Sequence, residues 1–289
     1  MFGAIDVGTN SVRLLIAECE NNKINYVYKD LKTTRLGEGL QSNVLQEKAI
    51  DRTVQALEDF LKILDQFKIT KVRAIATSAA REAINGDTLV KKALSRGLKI
   101  EIISGEEEAW LSFRGATSAW PGVPHQVVID IGGGSTEIIY SDKDEIVSTS
   151  IKAGAVRCTE DTWTEGQIRK AFQSVIERIS SLSERMLIGV GGTITSLASI
   201  AQELTTYDYR LIQGFKLKFA KVKSIRNRLA QLPLAKRRQI PGLQPSRADI
   251  IVAGTDILLT LMSGLEEEQI LVSERDLLDG IILELAEGT

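Results

Sequence analysis

The sequence predicts an α/β protein made of two related halves. Three observations carry this: strand and helix patterns alternate, one strand–turn–strand device occurs twice, and no long linker interrupts the 289 residues. That length suffices for two cores of ordinary size. A composition of 43% hydrophobic and 26% charged residues is that of a compact globular chain.

The repeat comes first because it organises the rest. Ala4-Ile5-Asp6-Val7-Gly8-Thr9-Asn10-Ser11 recurs as Val128-Ile129-Asp130-Ile131-Gly132-Gly133-Gly134-Ser135, and both copies continue into apolar residues. Ile5/Ile129, Asp6/Asp130, Gly8/Gly132 and Ser11/Ser135 are identical in one ungapped register. Each copy reads as a short apolar strand, a turn and a second apolar strand. Between the copies, residues 47–64 carry apolar side chains at helical spacing and 72–77 form a strand. Residues 98–103 form another short strand, and a helix opens at Gly105 and runs through Trp110 and Phe113. Its acidic first turn suits the positive end of the helix dipole. After the second hairpin, helices are predicted over 165–182, 195–204, 222–231 and 248–261, with strands at 187–190 and 269–272. The Pro/Gly-rich stretch 120–124 is the expected boundary, giving a first domain over 1–121 and a second over 122–275.

Charge and rare residues narrow the chemistry. A net charge of -2 points neither to a nucleic-acid partner nor to a membrane surface, so a polyanionic ligand requires a local basic groove. Cys19 and Cys158 form no metal-type spacing and read as reduced thiols. The N-terminus shows no basic leader and no apolar run of membrane-spanning length, which places the chain in the cytoplasm. His125, the single histidine, precedes the strand Val127-Val128-Ile129 and reads as a loop residue, which disfavours a Ser-His-Asp triad or a multi-histidine metal site.

Asp-x-Gly hairpins suit phosphate chemistry. Glycine lets the main chain approach a phosphate and adopt positive φ, so that consecutive amides point at its oxygens. Gly8, Thr9, Asn10 and Ser11, with Gly132, Gly133, Gly134 and Ser135, are therefore the candidate phosphate ligands. Asp6 and Asp130, at the strand ends, are candidates for holding Mg²⁺. A single such hairpin also reads simply as a good turn, and the matched pair weighs against that. Neither loop fits a P-loop or a dinucleotide fingerprint. Gly191, Gly192 and Thr193 join a strand to a helix, as an anion site or as a close-packing device. With histidine set aside, a carboxylate or a metal must activate the nucleophile. Glu106-Glu107-Glu108 is a candidate cluster and equally a solvated helix cap. Glu137 stands where the first copy has Arg13. Arg13 and Arg81 are candidate phosphate ligands or surface ion-pair partners.

Taken together these residues resemble the Ppx/GppA family of exopolyphosphatases and guanosine pentaphosphate phosphohydrolases, within the actin/sugar-kinase/heat-shock-chaperone superfamily. The resemblance runs along the whole chain. Besides the hairpins it rests on Arg35-Leu36-Gly37-Glu38-Gly39, Ala76-Thr77-Ser78-Ala79-Ala80-Arg81, Ser104-Gly105-Glu106-Glu107-Glu108-Ala109, Gly154-Ala155-Val156-Arg157 and Arg247-Ala248-Asp249. It implies two ribonuclease-H-like (actin-like ATPase) domains with an interdomain cleft. A C-terminal helix over about 276–289 would return to the first domain. It also implies that Glu108 is the catalytic base and that Asp6, Asp130 and Glu137 hold or orient Mg²⁺ and water. The implied substrate is inorganic polyphosphate or a guanosine penta- or tetraphosphate, and a homodimer follows by family analogy. A small-metabolite kinase using ATP and a (p)ppGpp sensor without turnover are the competing readings. One departure from the family pattern is Glu274-Arg275-Asp276, where a glycine-containing turn is expected.

Overall fold

A computed structural model describes residues 1–39, 43–142 and 145–288. Its elements in chain order begin with β1 (Phe2–Val7), β2 (Ser11–Glu20), β3 (Lys23–Thr33), α1 (Glu47–Gln66), β4 (Val72–Ala76), α2 (Ser78–Glu82), α3 (Gly86–Ser95), β5 (Glu101–Ile102) and α4 (Gly105–Thr117). Next come β6 (Gln126–Ile131), β7 (Thr136–Asp142), β8 (Glu145–Ile151), α5 (Ala155–Glu160), α6 (Glu165–Ser180), β9 (Met186–Val190) and α7 (Gly191–Ala201). The chain ends with α8 (Tyr209–Ile212), β10 (Lys216–Lys218), α9 (Phe219–Gln231), α10 (Leu234–Arg237), α11 (Ile251–Gly264), β11 (Gln269–Val272) and α12 (Leu277–Glu287). Two compact units result: Met1–Gly115 with Leu277–Thr289, and Ala116–Asp276. The division falls inside α4, because the helix continues to Thr117 ahead of the Pro/Gly-rich stretch.

The first unit holds a five-stranded sheet of order β3-β2-β1-β4-β5. β1 is buried along its whole length, so its alternating side chains must fill two cores. Ile5 and Val7 pack with Leu14, Ile16 and the apolar stripe of α1, including Ile50, Leu57 and Phe60. Phe2 and Ala4 pack on the other face with Leu15, Ile75 and the α12 residues Leu278, Ile281 and Ile282. Each large aliphatic side chain buried this way contributes about 1.5–3 kcal/mol, which holds α12 against β1 and β2.

The second unit repeats the plan, with one added strand: its sheet order is β10-β11-β9-β6-β7-β8. In both units a three-stranded antiparallel meander is followed by two strands parallel to its first. Val127, Ile129 and Ile131 alternate into a core shared with α6, α7, α9 and α11. A capping box at Thr164 and Gln167 starts α6. The segment that departs from the expected glycine turn needs no left-handed residue. Instead, the Glu274 N–H donates to Gln213 Oε1 at 2.8 Å, the Arg275 guanidinium donates to Ser118 Oγ at 2.8 Å, and the Ser273 hydroxyl donates to the Ala116 carbonyl at 3.3 Å.

Candidate active site

The repeat persists at the level of hydrogen bonds. Asp6 is the cross-strand partner of Arg13, and Gly8 N–H donates to the Ser11 carbonyl at 3.0 Å. Asp130 is likewise the partner of Glu137, and Gly132 N–H donates to the Ser135 carbonyl at 3.0 Å. The expectation of positive φ at these glycines is corrected, since no residue of either turn is left-handed. Gly8 and Gly132 are needed for space: a Cβ at either would lie 3.1 Å from the opposing serine carbonyl oxygen.

Each turn is braced from behind. The Asn10 carbonyl accepts from the N–H groups of Thr34 (3.0 Å) and Arg35 (2.9 Å), and the Thr9 carbonyl accepts from Gly37 (2.8 Å). In the second unit the Gly132 carbonyl accepts from Ala155, and the Gly133 carbonyl accepts from Val156 and Arg157. Arg157 Nε donates to the Gly134 carbonyl at 3.0 Å. The carbonyls are thus tied back. Thr9, Asn10, Gly133 and Gly134 are exposed residues, and their N–H groups have no main-chain acceptor among the described residues. Consecutive solvent-facing amides of this kind favour an anion.

Beneath the turns the two units differ. Asp6 is buried, and its Oδ2 accepts from both Nε (2.9 Å) and Nη2 (2.7 Å) of Arg13. The guanidinium thus balances the carboxylate, the ion-pair alternative the sequence offered for Arg13. In the second unit, Glu137 Oε1 accepts from the hydroxyls of Ser135 (2.5 Å) and Ser150 (2.8 Å). The Ser135 side chain therefore orients Glu137. Asp130 lies against the first residue of α7. Gly191 is left-handed there, with φ of 81°, and a Cβ would collide with Asp130 Oδ1. No other residue type satisfies both conditions.

α7 begins two residues before Thr193, whose buried hydroxyl donates to the Ile131 carbonyl at 3.3 Å. That hydroxyl is engaged within the fold, and the main-chain amides of the α7 N-terminus are the groups the sequence offered for an anion. Over Gly192 lies the guanidinium of Arg247, so close that a Cβ would strike it. Burial holds the Arg247 pKa below its ordinary value, with the charge of Asp130 acting in the opposite sense. Arg247 belongs to the Arg247-Ala248-Asp249 motif, which by itself does not mark it as a site residue. The signal was available, since it is the last cation of a long acid-free segment. Tyr207 donates to Glu274 near this group; burial first, then Glu274, pushes its phenol well above the ordinary tyrosine range.

The three glutamates opening α4 separate cleanly. Glu106 is exposed. Glu107 pairs with Arg73, which also binds Glu101 at 3.3 Å and the Glu284 carboxylate of α12. Burial works against the Arg73 charge, but Glu107 and Glu284 outweigh it and raise its pKa. Glu107 is thus a structural anchor for the start of α4. Glu108 Oε2 accepts from Arg81 Nη1 at 2.9 Å, and that same nitrogen donates to the Ile103 carbonyl at 3.0 Å. Arg81 thus takes the ion-pair alternative, with Glu108 as its partner. His125 stands in the loop before β6, left-handed with φ of 48°.

No group of three or more His, Cys, Asp or Glu side chains able to hold a metal occurs among the described residues. A Mg²⁺ site does not need one, because Mg²⁺ commonly takes one or two carboxylates, water and substrate phosphate oxygens. Asp130 and Glu137, cross-strand partners with oxygen donors only, fit that demand. Asp6 differs in having Arg13 as its ion-pair partner.

Two sheets of one topology, each headed by a braced phosphate-type turn over an acidic residue, define an actin-like, ribonuclease-H-like protein of phosphoryl chemistry. The chain belongs to the Ppx/GppA phosphatase family, whose model matches residues 15–288. It is 36% identical to exopolyphosphatase 2 of Mycobacterium tuberculosis, over 98% of both chains. It is 28% identical to the guanosine-5'-triphosphate,3'-diphosphate pyrophosphatase of Photobacterium profundum, over 99% of this chain and 59% of that one. The crystal structure of the Aquifex aeolicus family member matches with a TM-score of 0.88 at 28% identity, over 100% of this chain and 98% of that one. An exopolyphosphatase from Cytophaga hutchinsonii matches with a TM-score of 0.84 at 27% identity, over 100% of this chain and 98% of that one.

Proposed function

We propose that this chain hydrolyses the terminal phosphoanhydride bond of inorganic polyphosphate or of pppGpp. The observation that supports the reading is the braced turn that recurs in each unit; in the first unit the Glu108 carboxylate also accepts from Arg81. In this scheme Glu108 accepts a proton from water, whose oxygen attacks the terminal phosphorus in line. The bond to the bridging oxygen breaks, and its electron pair leaves with the shortened chain. Amides at Thr9, Asn10, Gly133 and Gly134 stabilise charge on the phosphoryl oxygens. Gly191 and Gly192 add the N-terminal amides of α7 beside Asp130. Asp130 and Glu137 would hold Mg²⁺, which would supply Lewis-acid stabilisation of phosphate charge. Arg81 fixes the Glu108 carboxylate, and Ser135 and Ser150 fix Glu137.

The two units correspond, in this reading, to the two ribonuclease-H-like domains of the family. None of the described helices is long and apolar enough to cross a membrane; a cytoplasmic, homodimeric enzyme is part of the proposal. The test is phosphate release from polyphosphate and from pppGpp with Mg²⁺, comparing wild type with Glu108→Gln. Release by the wild type and its loss in the variant support the assignment. No release from either substrate by the wild type would sink it.

A further inference from the structure

The chain as a whole is slightly acidic, yet its charges are unevenly placed. Between Asp208 and Asp249 the sequence holds eleven Lys and Arg and no Asp or Glu. This segment builds β10, α9 and α10 of the second unit. Four of its arginines are accounted for: Arg210 binds Asp208, Arg226 binds Asp256, Arg237 donates to the carbonyls of Leu229 and Leu232, and Arg247 lies over Gly192. Lys216, Lys218, Lys221, Lys223 and Arg228 are exposed, and none pairs with a carboxylate among the described residues. Lys236 and Arg238, on and just after α10, are exposed as well.

Their placement follows from the local fold. Leu217 turns into the core, so Lys216 and Lys218 project together from the opposite face of edge strand β10. Val222, Ile225 and Leu229 bury one side of α9, which packs on α7 and α11. Lys221 and Arg228, seven residues apart, share one flank of that helix. α7 is the helix whose first turn stands beside Asp130, so the basic segment is packed directly on an element of the site. Seven unpaired cations repel one another, and a chain of closely spaced phosphates would relieve that repulsion. No fully exposed aromatic side chain lies within β10, α9 or α10 to stack bases, which disfavours single-stranded nucleic acid.

We propose that the exposed face of β10, α9 and α10 is an exosite for the unreacted length of an inorganic polyphosphate chain. The proposal rests on the hydrolase reading above and deepens it: this surface would confer preference for long chains over short ones, without a part in bond cleavage.

The test compares wild type with the triple variant Lys218→Gln/Lys221→Gln/Arg228→Gln. In one arm, binding of labelled long-chain polyphosphate is measured in EDTA, where no turnover is required. In the other, KM and kcat are measured with Mg²⁺ on long-chain polyphosphate and on tripolyphosphate. The expected result is at least tenfold weaker binding and a tenfold higher KM for the long chain. Its salt dependence should become shallower, while kcat and all tripolyphosphate parameters stay unchanged. Unchanged long-chain binding and KM in a folded variant would overturn the exosite, as would tighter binding of single-stranded RNA than of polyphosphate by the wild type. Failure of the hydrolase reading looks different: no turnover of any phosphoanhydride by the wild type, with the EDTA arm still reporting on the surface.

Discussion

The two hairpins share a sequence repeat, a strand register, a closing hydrogen bond and a carbonyl brace, yet the residues opposite their aspartates carry opposite charge. In the first unit the cross-strand partner of the aspartate is Arg13, which neutralises Asp6. In the second it is Glu137, so two carboxylates share one face beside the start of α7. One substitution at an equivalent position thus turns a backbone frame into either an ion-paired anion cradle or a candidate cation site. The two units share the frame and differ in the cross-strand residue opposite the aspartate.

The largest effect should come from the base. Glu108→Gln keeps the hydrogen bond to Arg81 but cannot take a proton, so kcat should fall by about 10²- to 10⁴-fold with little change in KM. An equal fall in a Glu107→Gln variant would break the separation of roles within α4. Arg13→Ala tests the first hairpin. Leaving the Asp6 carboxylate buried without its guanidinium should cost about 3 kcal/mol of stability in denaturant unfolding. Glu137→Gln, which keeps hydrogen bonding to Ser135 and Ser150, should shift stability by less than about 1 kcal/mol while reducing activity. Gly191→Ala sharpens the contrast from the other side. Backbone strain alone should cost about 1–3 kcal/mol, and displacement of Asp130 should lower activity as well. The smallest effect concerns the thiols. Burial, then the charge of Asp161, raises the Cys158 pKa, so it holds less thiolate at any given pH. Alkylation of the native protein near pH 8 should therefore be faster at half-buried Cys19, as read by mass spectrometry.

Much of this was legible from residues alone, for reasons that differ by element. α1 and β1 announced themselves through apolar periodicity, because each faces a large core. β3 and β8 did not, being half-exposed edge strands with mixed side chains. α3 and α5 were too short to show a period. The hairpin residues were found because they repeat. What the repeat could not show is which polar groups satisfy one another. Arg81 with Glu108, Arg13 with Asp6, and Ser135 with Glu137 are contacts fixed by rotamers and register. Glu107 and Glu108 are adjacent in sequence, yet they separate only once Arg73 and Arg81 are seen on neighbouring strand and helix. Arg247 escaped notice because it reaches Gly192 from more than fifty residues away.

The inequality of the two hairpins is tested most directly by Mn²⁺ binding, followed by electron paramagnetic resonance as a probe for the Mg²⁺ site. Wild type, Asp6→Asn and Asp130→Asn should be compared in the presence of tripolyphosphate, with each variant confirmed to be folded. The account predicts that Asp130→Asn weakens Mn²⁺ binding at least tenfold while Asp6→Asn leaves it within about twofold, a difference of about 1 kcal/mol or more. Equal losses in the two variants, or a loss confined to Asp6→Asn, would contradict it.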